Sequence, residues 1–138
     1  MVIAPDVYKK IVSAKLYVDA HFHEQIGLDS ISRHACMSRF HFHRLFTRVY
    51  PVTPHQYLTQ KRMALASMLL ADKDLSVTEI CNEVGFESTG SFSGLFKKQM
   101  GLGPVHFRAK ARLKKQLTSE KPTMFIPHCF MDFHQMDT

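Results

Sequence analysis

The chain contains an internal repeat, and this feature constrains its fold more than any other. A segment that begins at Ile31 recurs from Ile80 with the same order of apolar, hydroxyl and aromatic residues. The matching pairs are Ile31 and Ile80, Ala35 and Val84, Ser38 and Ser88, Phe42 and Phe92, Leu45 and Leu95, Phe46 and Phe96, and Pro54 and Pro104. The second copy has one extra residue in its turn. Such a duplication predicts two subdomains that are built in the same way.

Each copy reads as a short helix, a tight turn, a longer helix and a closing helix that begins with proline. Ser38 and Ser88 stand at N-cap positions before apolar residues at helical spacing. Pro54 opens the helix that joins the copies, and Ser76 and Glu79 have the spacing of a capping box. No stretch shows the sustained alternation of a strand. The predicted fold class is therefore all-α, with about seven helices forming two helix-turn-helix subdomains joined by a linking helix.

These elements divide the chain into four parts. We expect the first helix-turn-helix subdomain at residues 1–53, the linking helix at 54–72, the second subdomain at 73–113 and a C-terminal tail at 114–138. From residue 117 onward the tail is too apolar for a simple disordered end. Its large apolar residues are Met124, Phe125, Ile126, Phe130, Met131 and Phe133. The tail is expected to pack back on the domain, or to mask or recruit a partner surface.

The expected core follows from helical spacing. Phenylalanines at i and i+4 of the two longer helices should face the interior, namely Phe42, Phe46, Phe92 and Phe96. In the first helix Asp6 is the expected N-cap. The apolar stripe expected for that helix consists of Tyr8, Ile11, Val12, Leu16 and Phe22. Cys36 and Cys81 stand where small core residues are expected, which predicts buried, inert thiols.

The distribution of charge favours a polyanionic partner. Lysine and arginine number 18 against 12 aspartate and glutamate residues, giving a net charge of +6. No acid lies between Asp29 and Asp72, or between Glu87 and Glu120, although both windows carry lysines and arginines. Two basic faces of this kind are typical of nucleic-acid binding. The absence of an apolar leader and of a long apolar run predicts a cytoplasmic protein with no membrane partner.

The longer helix of each copy is the candidate for reading DNA, because a helix fits the major groove of duplex DNA. Its outward face offers base-facing candidates, which are Arg39, Phe40, His43 and Arg44 in the first copy and Ser88, Thr89, Ser91 and Ser93 in the second. The phosphate-facing candidates are Ser38, Thr47, Arg48, Ser76, Lys97, Lys98, Arg108 and Lys110. Arginine can donate to guanine or to phosphate, and Phe40 can contact a thymine methyl group.

Five motifs occur in order along the chain. They are Ser38-x-x-x-Phe42-x-Arg44-x-Phe46, Arg62-Met63-x-x-Ala66-x-x-Leu69-Leu70, Ile80-x-x-x-Val84-Gly85-Phe86, Phe92-Ser93-x-x-Phe96-Lys97 and Pro104-x-x-Phe107-Arg108. This series resembles the DNA-binding domain of the AraC/XylS family of bacterial regulators, from about Tyr8 to Lys110. The resemblance implies a transcription regulator, usually an activator, with recognition helices in adjacent major grooves. It implies double-stranded DNA as the partner, often together with RNA polymerase. It also implies two recognition helices on one chain, so that a monomer is sufficient to bind DNA.

Several positions depart from the family pattern. Pro51 replaces the glycine that usually follows the first recognition helix, and Gly103 replaces a small hydroxyl residue. Gly90 and Gly94 lie in the second recognition helix, where a polar residue and an arginine are common. These glycines predict weaker base reading by the second copy. Arg62 has two open interpretations, a DNA contact or a pairing with an acid that holds the linking helix.

Other functions remain as alternatives. A protein-interaction module with the same fold and weakened DNA reading would act through the apolar tail. A metal or redox sensor would use His128, Cys129 and His134 of the tail. No metal or other cofactor is expected, because neither a CxxC nor an HxxxH pattern is present. No catalytic motif is found either, so the chain is not expected to be an enzyme. The sequence is compatible with a stand-alone regulator or with the DNA-binding piece of a longer one.

Overall fold

The computed structural model describes residues 2–120 and contains seven helices in that range. They are α1 (Pro5–His21), α2 (Leu28–His34), α3 (Arg39–Val49), α4 (Pro54–Asp72), α5 (Val77–Glu83), α6 (Thr89–Met100) and α7 (Pro104–Glu120). No strand occurs among these residues, and the predicted all-α fold is confirmed. α7 continues to Glu120, so the first residues of the expected tail are helical. The apolar and His–Cys sets beyond residue 120 lie outside the described residues.

The helices form two compact units, and the boundary between them falls inside α4, after Arg62. The first unit has its own core, in which α1, α2, α3 and the first half of α4 contribute buried apolar side chains. Its buried residues are Ile11, Ala14, Val18, Ile31, Ala35, Phe42, Leu45, Phe46 and Leu58. Each helix therefore turns one apolar stripe inward, as an amphipathic helix must.

The second unit repeats this organisation around a separate core. The second half of α4, together with α5, α6 and α7, supplies Met63, Ala66, Leu70, Ile80, Cys81, Val84, Phe92, Phe96, Met100 and Phe107. The rings of Phe92 and Phe96 lie 5.7 Å apart, and those of Phe42 and Phe46 lie 5.6 Å apart. The prediction that these four phenylalanines form the core is confirmed, since all four are fully buried.

The helix starts follow the expected capping chemistry, with one exception. The hydroxyl of Ser38 accepts a hydrogen bond from the backbone of His41, and Ser76 and Glu79 form a complete capping box. The exception is α1, where Asp6 does not serve as the N-cap. The helix already starts at Pro5, which needs no N–H partner at the first position, and Asp6 therefore lies within the first turn.

The buried face of α1 differs from the expected one. Tyr8 is half exposed and Leu16 is 56 % exposed, whereas Ile11, Ala14 and Val18 are buried. The buried residues follow the 3.6-residue period of a helix, and Leu16 lies off that stripe. The expectation that Tyr8 and Leu16 face the core is therefore wrong.

The turns between the two helices of each helix-turn-helix are equivalent in geometry. Cys36 has φ 56° and Gly85 has φ 93°, so both residues lie in the left-handed region. In each turn the next residue donates back across the helix end, from Met37 N to Ser32 O at 3.1 Å and from Phe86 N to Cys81 O at 3.0 Å. This is the Schellman arrangement, which favours glycine at the left-handed position. The expectation of a buried Cys36 is wrong, because the turn exposes its side chain, whereas Cys81 is buried as predicted.

Arginines of α4 and α7 hold the loops that precede each helix-turn-helix. Arg62 Nε donates to Phe22 O at 2.7 Å, and its Nη2 donates to Glu24 O at 2.8 Å. Arg112 Nη2 donates to Lys73 O at 2.9 Å in the second unit. Arg62 thus holds the linking helix, and its acceptors here are backbone carbonyl oxygens.

A polar cluster joins α1 to α4 inside the first unit. The hydroxyl of Tyr57 donates to the carboxylate of Asp19, which also has Lys15 Nζ at 2.9 Å and Lys61 Nζ at 3.6 Å. Burial, reinforced by the hydrogen bond to Asp19 and by its charge, raises the pKa of Tyr57 to about 12. Burial opposes ionisation of Asp19, but the hydrogen bonds from Tyr57 and Lys15 and the charge of Lys61 lower the pKa of its carboxyl.

Candidate nucleic-acid interface

α3 is anchored on one side and exposed on the other. Phe42, Leu45 and Phe46 are buried at i, i+3 and i+4. Helical geometry then turns the intervening residues outward. Ser38 caps the helix by accepting from His41 N at 3.3 Å, which fixes where the exposed face begins. The helix is therefore a rigid support for the side chains on its outer face.

The outer face of α3 brings together all the base-facing candidates of the first copy. Arg39, Phe40, His43 and Arg44 are exposed. Phe40 is 83 % exposed, although its ring is large and apolar. Thr47 and Arg48 continue the exposed face toward the end of the helix. The face combines two guanidinium groups, an imidazole and an aromatic ring, which can donate to base edges and contact methyl groups in a major groove.

Asp29 is an acidic neighbour of this face that the sequence interpretation missed. Its Oδ1 lies 3.1 Å from Arg39 Nη1, and both side chains are more than half exposed. An exposed pair of this kind contributes at most about 1 kcal/mol. Arg39 can therefore leave Asp29 for a stronger partner at little cost. The available signal was the position of Asp29 in the first turn of α2, two residues after Gly27.

Thr47 is exposed but its hydroxyl is already used within the helix. Its Oγ1 donates to His43 O at 2.7 Å, a back-bond to the preceding turn. The oxygen can still accept, but a phosphate would have to compete for the hydroxyl hydrogen. Thr47 is therefore less available to a phosphate than its exposure alone suggests.

α6 presents a very different face. Phe92, Phe96 and Met100 are buried, and Ser91 is exposed while Thr89 and Ser93 are half-buried. Gly90 and Gly94 lie on the exposed side, and a Cβ at either position would meet nothing within 4 Å. The face is consequently smooth, with short hydroxyl side chains and bare backbone. Lys97 and Lys98 are exposed in the last turn and supply its positive charge.

Three of the candidate residues are helix caps, namely the phosphate candidates Ser38 and Ser76 and the base-facing candidate Ser88. The hydroxyl oxygens of Ser38, Ser76 and Ser88 accept from backbone N–H groups at 3.3, 3.0 and 3.2 Å. Because a hydroxyl has one donor besides its acceptor lone pairs, each can still donate to a phosphate oxygen. All three serines are exposed at the start of a helix, where the backbone dipole favours an anion.

Arg108 has another role in the structure than the sequence suggested. Its Nε donates to Leu70 O at 3.1 Å and its Nη2 donates to Leu75 O, and the side chain is half-buried. These bonds hold α7 to the last turn of α4 and to the loop that follows it. The geometry therefore favours a structural role over the expected phosphate contact. Lys110, two residues further, is exposed.

The described part of the chain shows neither a metal centre nor a membrane span. Residues 2–120 contain no group of three or more histidine, cysteine, aspartate or glutamate side chains placed to hold an ion. Within the same range, every helix is too short or too polar to cross a bilayer.

Known proteins share this helix-turn-helix organisation. A family model described as a helix-turn-helix domain matches residues 31–110. The transcriptional regulator AlkR of Acinetobacter baylyi is 32 % identical over 105 residues, which cover 76 % of this chain and 34 % of AlkR. The chain spans 34 % to 40 % of the length of three of the curated relatives that it matches.

Solved structures of other proteins share the fold. The DNA-binding domain of AdpA, solved in complex with a target DNA, is 31 % identical with a TM-score of 0.74, covering 77 % of this chain and 96 % of that domain. A transcriptional regulator of Chromobacterium violaceum with an AraC-type DNA-binding domain is 26 % identical with a TM-score of 0.67. That match covers 75 % of this chain and 93 % of the other.

Proposed function

Because the chain belongs to the AraC-type family of helix-turn-helix proteins, we propose that it regulates transcription by binding duplex DNA, with α3 and α6 as recognition helices. The observation that carries this proposal is the outer face of α3. Arg39, Phe40, His43 and Arg44 are all exposed on a helix whose other side is fixed in a core. A face with these donors on a rigid support suits direct reading of base pairs.

In this proposal α3 supplies most of the sequence specificity. Arg44 and Arg39 donate to guanine, His43 donates to or accepts from a base edge, and Phe40 contacts a thymine methyl group. Arg39 leaves Asp29 when DNA binds, and the exposed pair costs little to break. A bidentate arginine–guanine contact discriminates against a wrong base by about 1–3 kcal/mol.

α6 contributes contacts to the phosphate backbone more than recognition of bases. The open space at Gly90 and Gly94 lets the helix backbone approach the DNA closely, and Ser91 has only a short donor. Lys97 and Lys98 neutralise phosphate charge, so binding through them depends on salt. Ser38, Ser76 and Lys110 add further phosphate contacts, and Ser88 at the start of α6 faces the bases with its short hydroxyl.

The regulatory role rests on family resemblance. We infer that the protein acts as an activator, as members of this family mostly do, and that it also contacts RNA polymerase, as they often do. Two recognition helices on one chain allow a monomer to occupy an asymmetric site. The expected division into subdomains at residues 1–53 and 73–113, joined at 54–72, assigns one recognition helix to each.

Selection of bound duplexes from a random pool tests the proposal. We expect an asymmetric site with one strongly conserved block, read by α3, and a weaker second block. In the selected site, Arg44→Ala should weaken binding by about 1–3 kcal/mol and relax preference at one position. Lys9→Ala, which removes an exposed cation from α1, is the matched control and should leave the preference unchanged. A pool without enrichment, bound only at low salt, would refute sequence-specific recognition.

A further inference from the structure

α4 and α7 are corresponding helices of the repeat, related by an offset of 50 residues. Pro54 and Pro104 start them, and each carries an aromatic residue three positions later. Arg62 and Arg112 then occupy the same position, and each donates to a backbone carbonyl oxygen in a loop of its own unit. The two helices can therefore be compared position by position.

The comparison identifies a face that α4 buries and α7 exposes. Thr59, Met63 and Ser67 follow one another at four-residue intervals on α4, and each is at most 6 % exposed. The corresponding residues of α7 are Ala109, Leu113 and Leu117, which we call the α7 stripe. Leu113 is 56 % exposed and Leu117 is 52 % exposed. α7 thus exposes the more apolar version of a face that is buried in its counterpart.

The chain that follows each helix is relevant to this difference. In the second unit the segment after α4 builds the core in which Met63 is buried. The segment after α7 is residues 121–138, and it contains Met124, Phe125, Ile126, Phe130, Met131 and Phe133. We propose that residues 124–133 dock on the α7 stripe and remove its leucines from water.

The length of the connection permits this docking. Residues 121–123 separate the end of α7 from Met124, and an extended chain spans about 3.3 Å per residue. Leu117 lies three residues before the helix end, or about 4.5 Å along the axis, and Leu113 lies one further turn back. Pro122 has no backbone N–H with which to extend the hydrogen-bonding pattern of α7. The apolar residues can therefore return along the stripe.

Charge favours the tail over a second copy of the chain as the occupant. Lys110 and Lys114 lie one helical turn before Leu113 and Leu117, and α7 has no acid before Glu120. Two α7 helices packed together would place lysine against lysine. Residues 124–138 carry Asp132 and Asp137 and no lysine or arginine, so their charge complements that of α7.

Tryptophan fluorescence of the full chain tests the docking, because the protein has no native tryptophan. Phe130→Trp and Phe125→Trp each place a single indole in the tail. In both proteins we expect emission shifted to the blue and protection from a soluble quencher. Adding Leu113→Lys or Leu117→Lys should shift the emission to the red and remove the protection. Leu16→Lys, on a leucine that is also 56 % exposed, is the matched control and should change neither.

Three results would overturn the proposal. Emission of a water-exposed indole in both reporters would mean that the tail does not dock. Blue emission that is unaffected by the lysine substitutions would place the tail elsewhere. A blue shift that appears only as protein concentration rises would assign the stripe to a second copy. None of these readouts involves DNA, so they are independent of the proposed function.

Discussion

The Nε hydrogen of Arg62 is donated to the carbonyl oxygen of Phe22 at 2.7 Å, which ties α4 to the chain just after α1. The same guanidinium also donates to Glu24 O at 2.8 Å. Burial lowers the pKa of Arg62, yet the group stays charged at any physiological pH. One side chain therefore satisfies two carbonyl groups of a loop that has no regular structure of its own.

We expect Arg62→Ala to destabilise the first unit by about 2–3 kcal/mol, since hydrogen bonds to charged groups contribute about 1.5–3 kcal/mol each and are not additive. Arg62→Lys keeps the charge but loses the planar fork, and should recover less than half of the loss. Urea unfolding followed by circular dichroism measures both. His55→Ala, at an exposed position of α4, is the control, with an effect within about 0.5 kcal/mol. Equal stabilities of Arg62→Ala and the parent would contradict the structural role.

Cys36→Gly should stabilise the protein by about 0.5–1 kcal/mol. The left-handed φ of 56° costs a non-glycine residue about 1–2 kcal/mol, and the greater unfolded-state entropy of glycine offsets part of the gain. Gly85→Ala tests the same conformation in the second unit and should destabilise it by a similar amount. Thermal unfolding of the two variants gives opposite shifts in Tm if the turns are equivalent.

Asp29→Asn should strengthen binding to the selected DNA site. The substitution frees Arg39 and removes a negative charge beside the reading face, so affinity should rise about two- to fivefold at low salt. Asp74→Asn breaks a second exposed aspartate–arginine pair, with Arg112, and serves as the control for a general charge effect. If both variants bind equally tightly, the gain comes from net charge, and the local role of Asp29 is excluded.

Gly94→Ala should stabilise α6 by about 1 kcal/mol, because a Cβ there meets nothing and alanine is the better helix former. The same methyl group should weaken DNA binding if the bare backbone of α6 approaches the duplex. Gly103→Ala, at a position that also has open space but lies outside the helix, controls for the added methyl. A Gly94→Ala protein that is more stable and binds DNA as tightly as the parent would show that the backbone of α6 does not approach the duplex closely.

The cluster around Tyr57 predicts a pH dependence of the first unit. The lowered pKa of Asp19 means that its contribution is present above the ordinary aspartate pKa, about 3.9, and is lost as pH falls through the folded value. The raised pKa of Tyr57 means that its contribution is present below about 10 and is lost as pH rises toward about 12. Tyr57→Phe should therefore cost about 1.5 kcal/mol near neutrality and less at both extremes.

Chemical unfolding at a series of pH values measures this dependence. Tyr8→Phe, which removes a hydroxyl from an exposed tyrosine of α1, should give a curve parallel to that of the parent. A constant difference between Tyr57→Phe and the parent across the whole range would remove Asp19 and Tyr57 as a coupled pair.

The repeat made most of the fold predictable. Serine caps, proline starts and phenylalanine spacing are local signals, and the structure follows them in both units. The buried face of α1 was predicted wrongly because the apolar residues of this helix are compatible with two neighbouring faces. Packing decides between these faces, and it leaves Tyr8 and Leu16 exposed. The exposure of Cys36 was visible in principle, since it aligns with Gly85, a residue type that marks a left-handed turn.

The arginine assignments show where sequence interpretation stops. Arg44 and Arg108 both belong to family motifs. Only the fold reveals that Arg108 donates hydrogen bonds to the carbonyl oxygens of Leu70 and Leu75. A backbone acceptor has no signature in the sequence, because every residue supplies one. Sequence can therefore predict which side chains carry charge, while the partner of each charge depends on the path of a distant loop.

The carbonyl acceptors of Arg62 have a consequence for how the protein can diverge. Because Phe22 and Glu24 accept these two hydrogen bonds through backbone oxygens, other residues at those two positions can make the same bonds. The loop can then accumulate substitutions while its course stays fixed, provided that one arginine is kept. Lys73 stands in the same relation to Arg112. Arg62 and Arg112 thus allow the loop after α1 and the loop after α4 to tolerate mutations.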